Sequence, residues 1–409
     1  MAEKSHNSNL SSGWFWIGLS IIATIPGVYL RISGIHLTPT WESVVFGLAI
    51  LGGAALLAWA AEAAQKEISQ ALALAFLALI AVLPEYAVDL YFATMAAKDP
   101  QYAHYAVANM TGANRLLIGI GWSVVVLLFW LKTRRPVVQL EPAQSTELSY
   151  LIVAAGYAFI IPWKGNISLI DTAVLVTLFG LYLWSSYKAG AEEFEAEGPA
   201  ATICSLSKTW RRIFTIFLFV FPAVVILASA ERFAEGLIHT GKNMGIDEFI
   251  LVQWVAPLAS EAPEMIAVAI FALKGNGAAA MGALVSSKVN QWTLLIGTLP
   301  IAYSISLGRV GALPLDGRQM EEVFLTAAQT AFAVALLSRL NISLWGAGAL
   351  FVLFASQVAL PITEVRYGFA FFYIAAAGFL FLRDRRRLRD VWGMLRCTAA
   401  GFRSSKQQK

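Results

Sequence analysis

Long apolar runs separated by short polar breaks repeat along the whole chain. Many runs are about 20 residues long, enough helix to cross ~30 Å of hydrocarbon. Apolar positions do not alternate with polar ones, so the pattern predicts a helical bundle and excludes a β-barrel. Twelve spans are predicted, at about 14–32, 42–64, 69–96, 104–131, 148–163, 168–187, 211–238, 247–273, 278–305, 319–338, 343–361 and 367–383. No small-residue cleavage site follows the first run, from Trp14 to Leu30, and it reads as a retained span.

Composition agrees. Apolar residues make up 58% of the 409 positions and charged residues only 14%, and the mean hydropathy is +0.65. Soluble domains carry about 25% charged residues. The expected fold class is therefore an all-α polytopic membrane protein.

The net charge of +4 reads as topology and not as attraction to nucleic acid. With the N-terminus in the cytoplasm, the cytoplasmic side collects 20 of the 30 Lys and Arg residues and the outer side 7, Arg366 among them. Arg115, Arg232 and Lys288 remain at membrane depth. That bias places both termini in the cytoplasm of a bacterial-type inner membrane. Cys204 and Cys397 fall in segments expected on the reducing side, so no disulfide is expected. The four histidines are scattered, without metal-ligand spacing, and no cofactor is expected.

An internal repeat divides the chain. "LPEYAVDLYFA" at 83–93 is followed by "LLIG" at 116–119, and "APEMIAVAIFA" at 262–272 by "LLIG" at 294–297. The two Pro-Glu pairs lie 179 residues apart, and each is trailed by the same tetrapeptide at nearly the same distance. Each half holds five predicted spans, an odd number, so successive copies must enter the bilayer from opposite sides. That is the inverted-repeat arrangement of many secondary transporters. The expected organisation is an N-terminal segment with one extra span (1–41), a first repeat (42–188), a flexible cytoplasmic linker (189–210), a second repeat (211–361), and a last span with a basic tail (362–409). The tail "RDRRRLRDVWGMLRC" reads as a stop-transfer cluster or as a segment lying on anionic lipid.

Glu85 and Glu264 lie deep in apolar runs, where an ionised residue costs about 2.5–3.5 kcal/mol on insertion scales. One buried carboxyl can serve as packing glue between helices. Two at equivalent repeat positions, each directly after a proline, point to a shared ion site. Pro84 and Pro263 break the helical ladder, releasing the carbonyls of Ile80 and Ala259. Freed carbonyls at membrane depth need protein, water or an ion to satisfy them. Carboxylates beside carbonyl oxygens suit a hard cation. The next span of each half adds amides and hydroxyls: Asn109, Thr111 and Asn114 in one, Ser286, Ser287, Asn290 and Gln291 in the other. Gly112, Ala113 and Gly282 permit close helix approach there.

These segments resemble the α-repeats of the Ca²⁺/cation antiporter superfamily, the membrane region of sodium/calcium exchangers. That family carries "TSLPE" in one helix and "GNxxGSNxxN" in the next, once per repeat. The matches here are "AVLPE" at 81–85 and "SEAPE" at 260–264, then "ANMTGAN" at 108–114 and "GALVSSKVNQ" at 282–291. The resemblance implies a secondary antiporter that exchanges Ca²⁺ for Na⁺ or H⁺ by alternating access. It implies cation binding by Glu85 and Glu264, supported by Asn109, Asn114, Ser260, Ser286, Ser287, Asn290 and Gln291. Its partners would be the lipid bilayer and inorganic cations.

The departures are charged. Lys288 stands where the family usually has an amide, Arg115 follows Asn114, and Asp89 and Glu261 add acids near the two glutamates. Ala81 and Val82 replace a hydroxyl pair. Lys288 either lies in the site, which favours Na⁺ or H⁺ exchange, or pairs with Glu261 or Asp89 outside it. Burial favours the protonated carboxyl and a bound cation the ionised one, so proton and metal compete for one glutamate. The alternatives are a Na⁺/H⁺ antiporter on the same fold and an intramembrane enzyme using paired acids. An enzyme is disfavoured, since no His-metal motif or activated nucleophile accompanies the acids.

Overall fold

The computed structural model describes residues 2–66, 82–189, 196, 198–360 and 362–404. The first part of the expected span 69–96, Ile80 and Ala81 with it, lies outside the described residues, as do residues 190–195 and 197 of the expected linker and the end of the basic tail. Among the described residues, nine helices are long and apolar enough to cross a membrane. The other three expected spans are helical where described: 69–96 from Leu83 onward, 278–305 as an interrupted helix, and 343–361 as a 16-residue helix.

The chain divides into two compact units that cut across the sequence halves. One holds residues 1–91 and 190–264, the other 92–189 and 265–409. The first unit contains α1 (Ala2–Ser33), α2 (Pro39–Ala64), the start of α3 (Leu83–Ala96), α9 (Gly198–Cys204), α10 (Lys208–Met244) and most of α11 (Glu248–Leu273). Ile17, Leu56, Ala60, Ile203 and Leu218 form a buried cluster there. The expected linker is therefore not flexible throughout: residues 198–204 form a short helix whose Ile203 and Cys204 are buried in that cluster. Apolar side chains at the end of α9 supply the reason, since their burial against the neighbouring helices of the unit favours an ordered segment. Arg232, expected at membrane depth, pairs with Glu42 at 2.9 Å and donates to the Ile35 carbonyl at 3.2 Å.

The second unit contains α4 (Gln101–Leu116), α5 (Ser123–Thr133), α6 (Ser145–Ala158), α7 (Ile160–Lys164), α8 (Leu169–Ala189), α12 (Gly277–Asn290), α13 (Ile296–Leu307), α14 (Gly317–Leu337), α15 (Leu344–Ala359), α16 (Thr363–Arg383) and α17 (Arg386–Ser404). Its contacts are reciprocal between the halves. β1 (Val137–Gln139) pairs antiparallel with β4 (Asn341–Ser343), and β2 (Asn166–Ile167) with β3 (Leu313–Pro314). In each ribbon the strand after the third span of one half meets the strand before the last span of the other. The helices follow suit: α5 packs on α15 and α13 on α8, while α4 packs on α14 and α12 on α6.

The repeated tetrapeptide lies at these crossings. A side chain at Gly119 would overlap the Phe354 ring of α15, and one at Gly297 would come within 3.1 Å of Val176 in α8. Each glycine thus lets its helix approach the final helix of the opposite half. The expected basic tail is helical as α17, and Arg387 donates to the carbonyls of Ala335 and Leu336 at the end of α14, at 2.7 and 3.3 Å.

Candidate functional site

The first Pro-Glu element opens α3. Pro84 falls in the first described turn, where a missing N–H is tolerated. Glu85 follows it and is buried, as is Asp89 one turn later. The carbonyl expected to be freed by Pro84, that of Ile80, lies outside the described residues. Pro263 behaves differently from expectation. α11 runs through both Pro257 and Pro263 to Leu273, so Pro263 removes a donor without breaking the helix. A helix of this length keeps enough intact bonds on either side to carry the gap. Ser260 donates to the carbonyls of Ala256 and Pro257 at 3.4 and 3.3 Å, leaving its lone pairs to accept. Glu261 is buried and Glu264 half-buried. Glu85, Asp89, Ser260, Glu261 and Glu264 all belong to the first unit.

The amide and hydroxyl elements belong to the second unit, and each leads into a π-helical turn. α4 passes through a π turn at Leu117–Trp122 before α5, and α12 through one at Gln291–Leu295 before α13. Such turns often mark functional sites because they interrupt the i→i−4 ladder. Ahead of the first turn, the carbonyls of Asn114 and Arg115 each accept a side chain from another helix. Lys288 Nζ lies 2.6 Å from the Asn114 carbonyl, and Gln329 Nε2 lies 3.4 Å from that of Arg115.

The Asn114 amide nitrogen donates to the Met110 carbonyl at 2.9 Å, which orients Oδ1 toward Lys288 Nζ at 2.7 Å. Lys288 is fully buried, and Nζ stands 5.4 Å from the centre of the Trp292 ring. Its ammonium therefore sits on a candidate site residue. Thr111 donates to its own helix at Val107, 2.7 Å away. Asn109, Ser287, Asn290 and Gln291 are buried. The Ser286 hydroxyl is 2.6 Å from that of Tyr182. Gly282 provides the close approach expected of it: the Gln144 side chain lies over it and donates to the Ala278 carbonyl at 2.8 Å.

Arg115 has a partner that sequence reasoning missed. It pairs with Glu322 of α14, and Arg366 of α16 lies 2.6 Å from the other oxygen of the same carboxylate and 3.6 Å from Glu321. All four side chains are buried. Arg366, expected in an outer loop, is instead in the first turn of α16 and pointed inward. Burying apolar Ala370 and Tyr373 on the same helix face turns Arg366 in with them, and Glu322 satisfies the charge. The available signal was the adjacent pair Glu321–Glu322 just inside an expected span.

Two stretches of the chain, residues 39–188 and 214–363, match the family model for the sodium/calcium exchanger protein. This chain belongs to the sodium/calcium exchanger family. Its family is one of transporters and not of enzymes, and it is an integral membrane protein of duplicated, mostly helical build.

The crystal structure of the H⁺/Ca²⁺ exchanger CAX is 44% identical, covering 96% of this chain and 99% of that one, with a TM-score of 0.91. Two more distant structures share the fold. One, the Ca²⁺/H⁺ antiporter protein YfkE, is 17% identical, covering 83% of this chain and 98% of that one, at a TM-score of 0.60. The other, the sodium-calcium exchanger NCX_Mj, is 18% identical, covering 79% and 98%, at 0.51. No curated protein sequence matches the chain.

Proposed function

We propose that this family member is a Ca²⁺/H⁺ antiporter working by alternating access, with Glu85 and Glu264 as the carboxylates that bind Ca²⁺ and protons in turn. The observation that carries the choice of ions is 44% identity to the H⁺/Ca²⁺ exchanger CAX over nearly the whole of both chains. The paired Pro-Glu elements at repeat-equivalent positions support the choice of residues. Ca²⁺ needs ionised carboxylates with carbonyl and amide oxygens around them. Protons neutralise the same carboxylates and release the metal, so the two ions exclude each other without any further device.

The halves 42–188 and 211–361 are read as inverted repeats within twelve spans, with 1–41 and 362–409 outside them and both termini in the cytoplasm of an inner membrane. Reciprocal pairing of β1 with β4 and of β2 with β3 supports a pseudo-two-fold relation of this kind. Asn109, Ser260, Ser286, Ser287, Asn290 and Gln291 supply neutral oxygens in this reading; Asn114, also expected among the ligands, holds the Lys288 ammonium instead, and Asp89, Glu261 and Lys288 set the local charge.

Calcium uptake into proteoliposomes, with pH and Na⁺ gradients imposed one at a time, tests the proposal. A pH gradient is expected to drive uptake, and Glu85→Gln or Glu264→Gln to abolish it in a folded, inserted protein. Near-normal flux through either variant would refute the carboxylate assignment.

A further inference from the structure

The sequence leaves open whether Lys288 belongs to the ion path. Its side chain is fully buried, which Lys tolerates only when its charge is met. Among the oxygens that meet it are a backbone carbonyl at 2.6 Å and a side-chain amide oxygen at 2.7 Å, both from Asn114. Two features make these oxygens a built receptor. Asn114 Nδ2 is committed to the Met110 carbonyl at 2.9 Å, which fixes Oδ1 as the acceptor. The Asn114 carbonyl lies three residues ahead of the π turn at Leu117–Trp122, where the helical ladder changes register. Neutral, hard oxygens of this kind also suit an alkali cation. The Trp292 ring face, 5.4 Å from Nζ, adds a further attraction for a single positive charge.

We infer that Lys288 is a tethered cation filling an oxygen-lined position between α4 and α12 that would otherwise take a monovalent metal ion, so that Na⁺ cannot act as the counter-ion through it. An ammonium and a sodium ion present the same charge to the same oxygens. In a buried site of low dielectric, one excludes the other by repulsion as well as by volume. The chain thereby carries one of its own cations, and the proton remains to exchange against Ca²⁺. This inference rests on the antiporter reading above and adds the reason for its choice of counter-ion.

Thermal unfolding of the purified full chain, in NaCl against choline chloride at equal ionic strength, reads Na⁺ binding without any transport. The wild type should show no Na⁺-specific shift. Lys288→Ala, which vacates both oxygens, and Lys288→Asn, which adds a third, should each gain a Na⁺-specific rise in Tm that saturates with concentration. Lys288→Arg keeps a tethered charge and should stay insensitive. In proteoliposomes, Na⁺ should leave wild-type Ca²⁺ uptake unchanged and inhibit uptake by the Ala and Asn variants at least several-fold.

Wild-type uptake driven by a Na⁺ gradient would overturn the inference even if every variant failed to fold. So would folded Ala and Asn variants that ignore Na⁺. A wild type that moves Ca²⁺ under neither gradient would sink the antiport reading instead, while the unfolding measurement would still decide whether Lys288 stands in for Na⁺.

Discussion

Arg366 of α16 lies 2.6 Å from Oε1 of Glu322 in α14, and the other oxygen of that carboxylate belongs to Arg115 of α4. One acid thus ties three helices together inside the second unit, through the residue that follows Asn114. A buried charge without its partner costs several kcal/mol, whereas removing both partners costs far less.

Glu322→Gln should therefore destabilise the protein by about 3–5 kcal/mol, because two buried guanidiniums lose the carboxylate they share. Arg366→Gln added to Glu322→Gln should recover part of that loss. A double-mutant cycle read by thermal unfolding in detergent checks the coupling. Strictly additive losses would show that the two residues do not interact.

Gly119→Ala should cost about 1–3 kcal/mol, since the added methyl overlaps the Phe354 ring. Gly156→Ala in α6 provides the contrast. Nothing lies within 4 Å of the methyl it adds, and a glycine is removed from a helix interior, so a gain of about 0.5–1 kcal/mol is expected. Comparing the two melting temperatures isolates close approach from helix propensity.

Trp292→Phe should lower stability by about 0.5–1.5 kcal/mol through loss of the 3.0 Å bond from Nε1 to Thr330 Oγ1. The Lys288–Asn114 contact survives in that variant, so its Na⁺ insensitivity should match the wild type. A Na⁺-specific Tm shift in Trp292→Phe would mean that the indole, and not the ammonium, keeps sodium out.

Pro263→Ala restores an N–H that can bond the Ala259 carbonyl. The helix should become more stable by up to about 3 kcal/mol. If that carbonyl serves Ca²⁺ in the antiporter, Ca²⁺ affinity should fall as Tm rises. Unchanged affinity, measured by calcium-dependent shifts in Tm, would remove Ala259 from the ion's ligands.

The helical build, the duplication and the paired Pro-Glu elements were legible from the chain alone, because hydropathy and exact spacing are properties of the sequence. The distance between Glu85 and the following "LLIG" is nearly that between Glu264 and its own copy. What the glycine of each copy does was not legible. Gly119 and Gly297 matter through Phe354 and Val176, both from distant parts of the chain.

Charge partners were likewise hidden. Lys288 and Asn114 are separated by 174 positions, and Arg115 and Glu322 by 207. Local pattern told only that Arg115 and Lys288 lay at membrane depth and would need company. Which oxygen met which nitrogen depended on how α4, α12, α14 and α16 pack and on two π turns that no propensity announced. Hydrophobic periodicity fixes which side of a helix turns inward, but a pairing across such distances in the chain forms only once those sides have met.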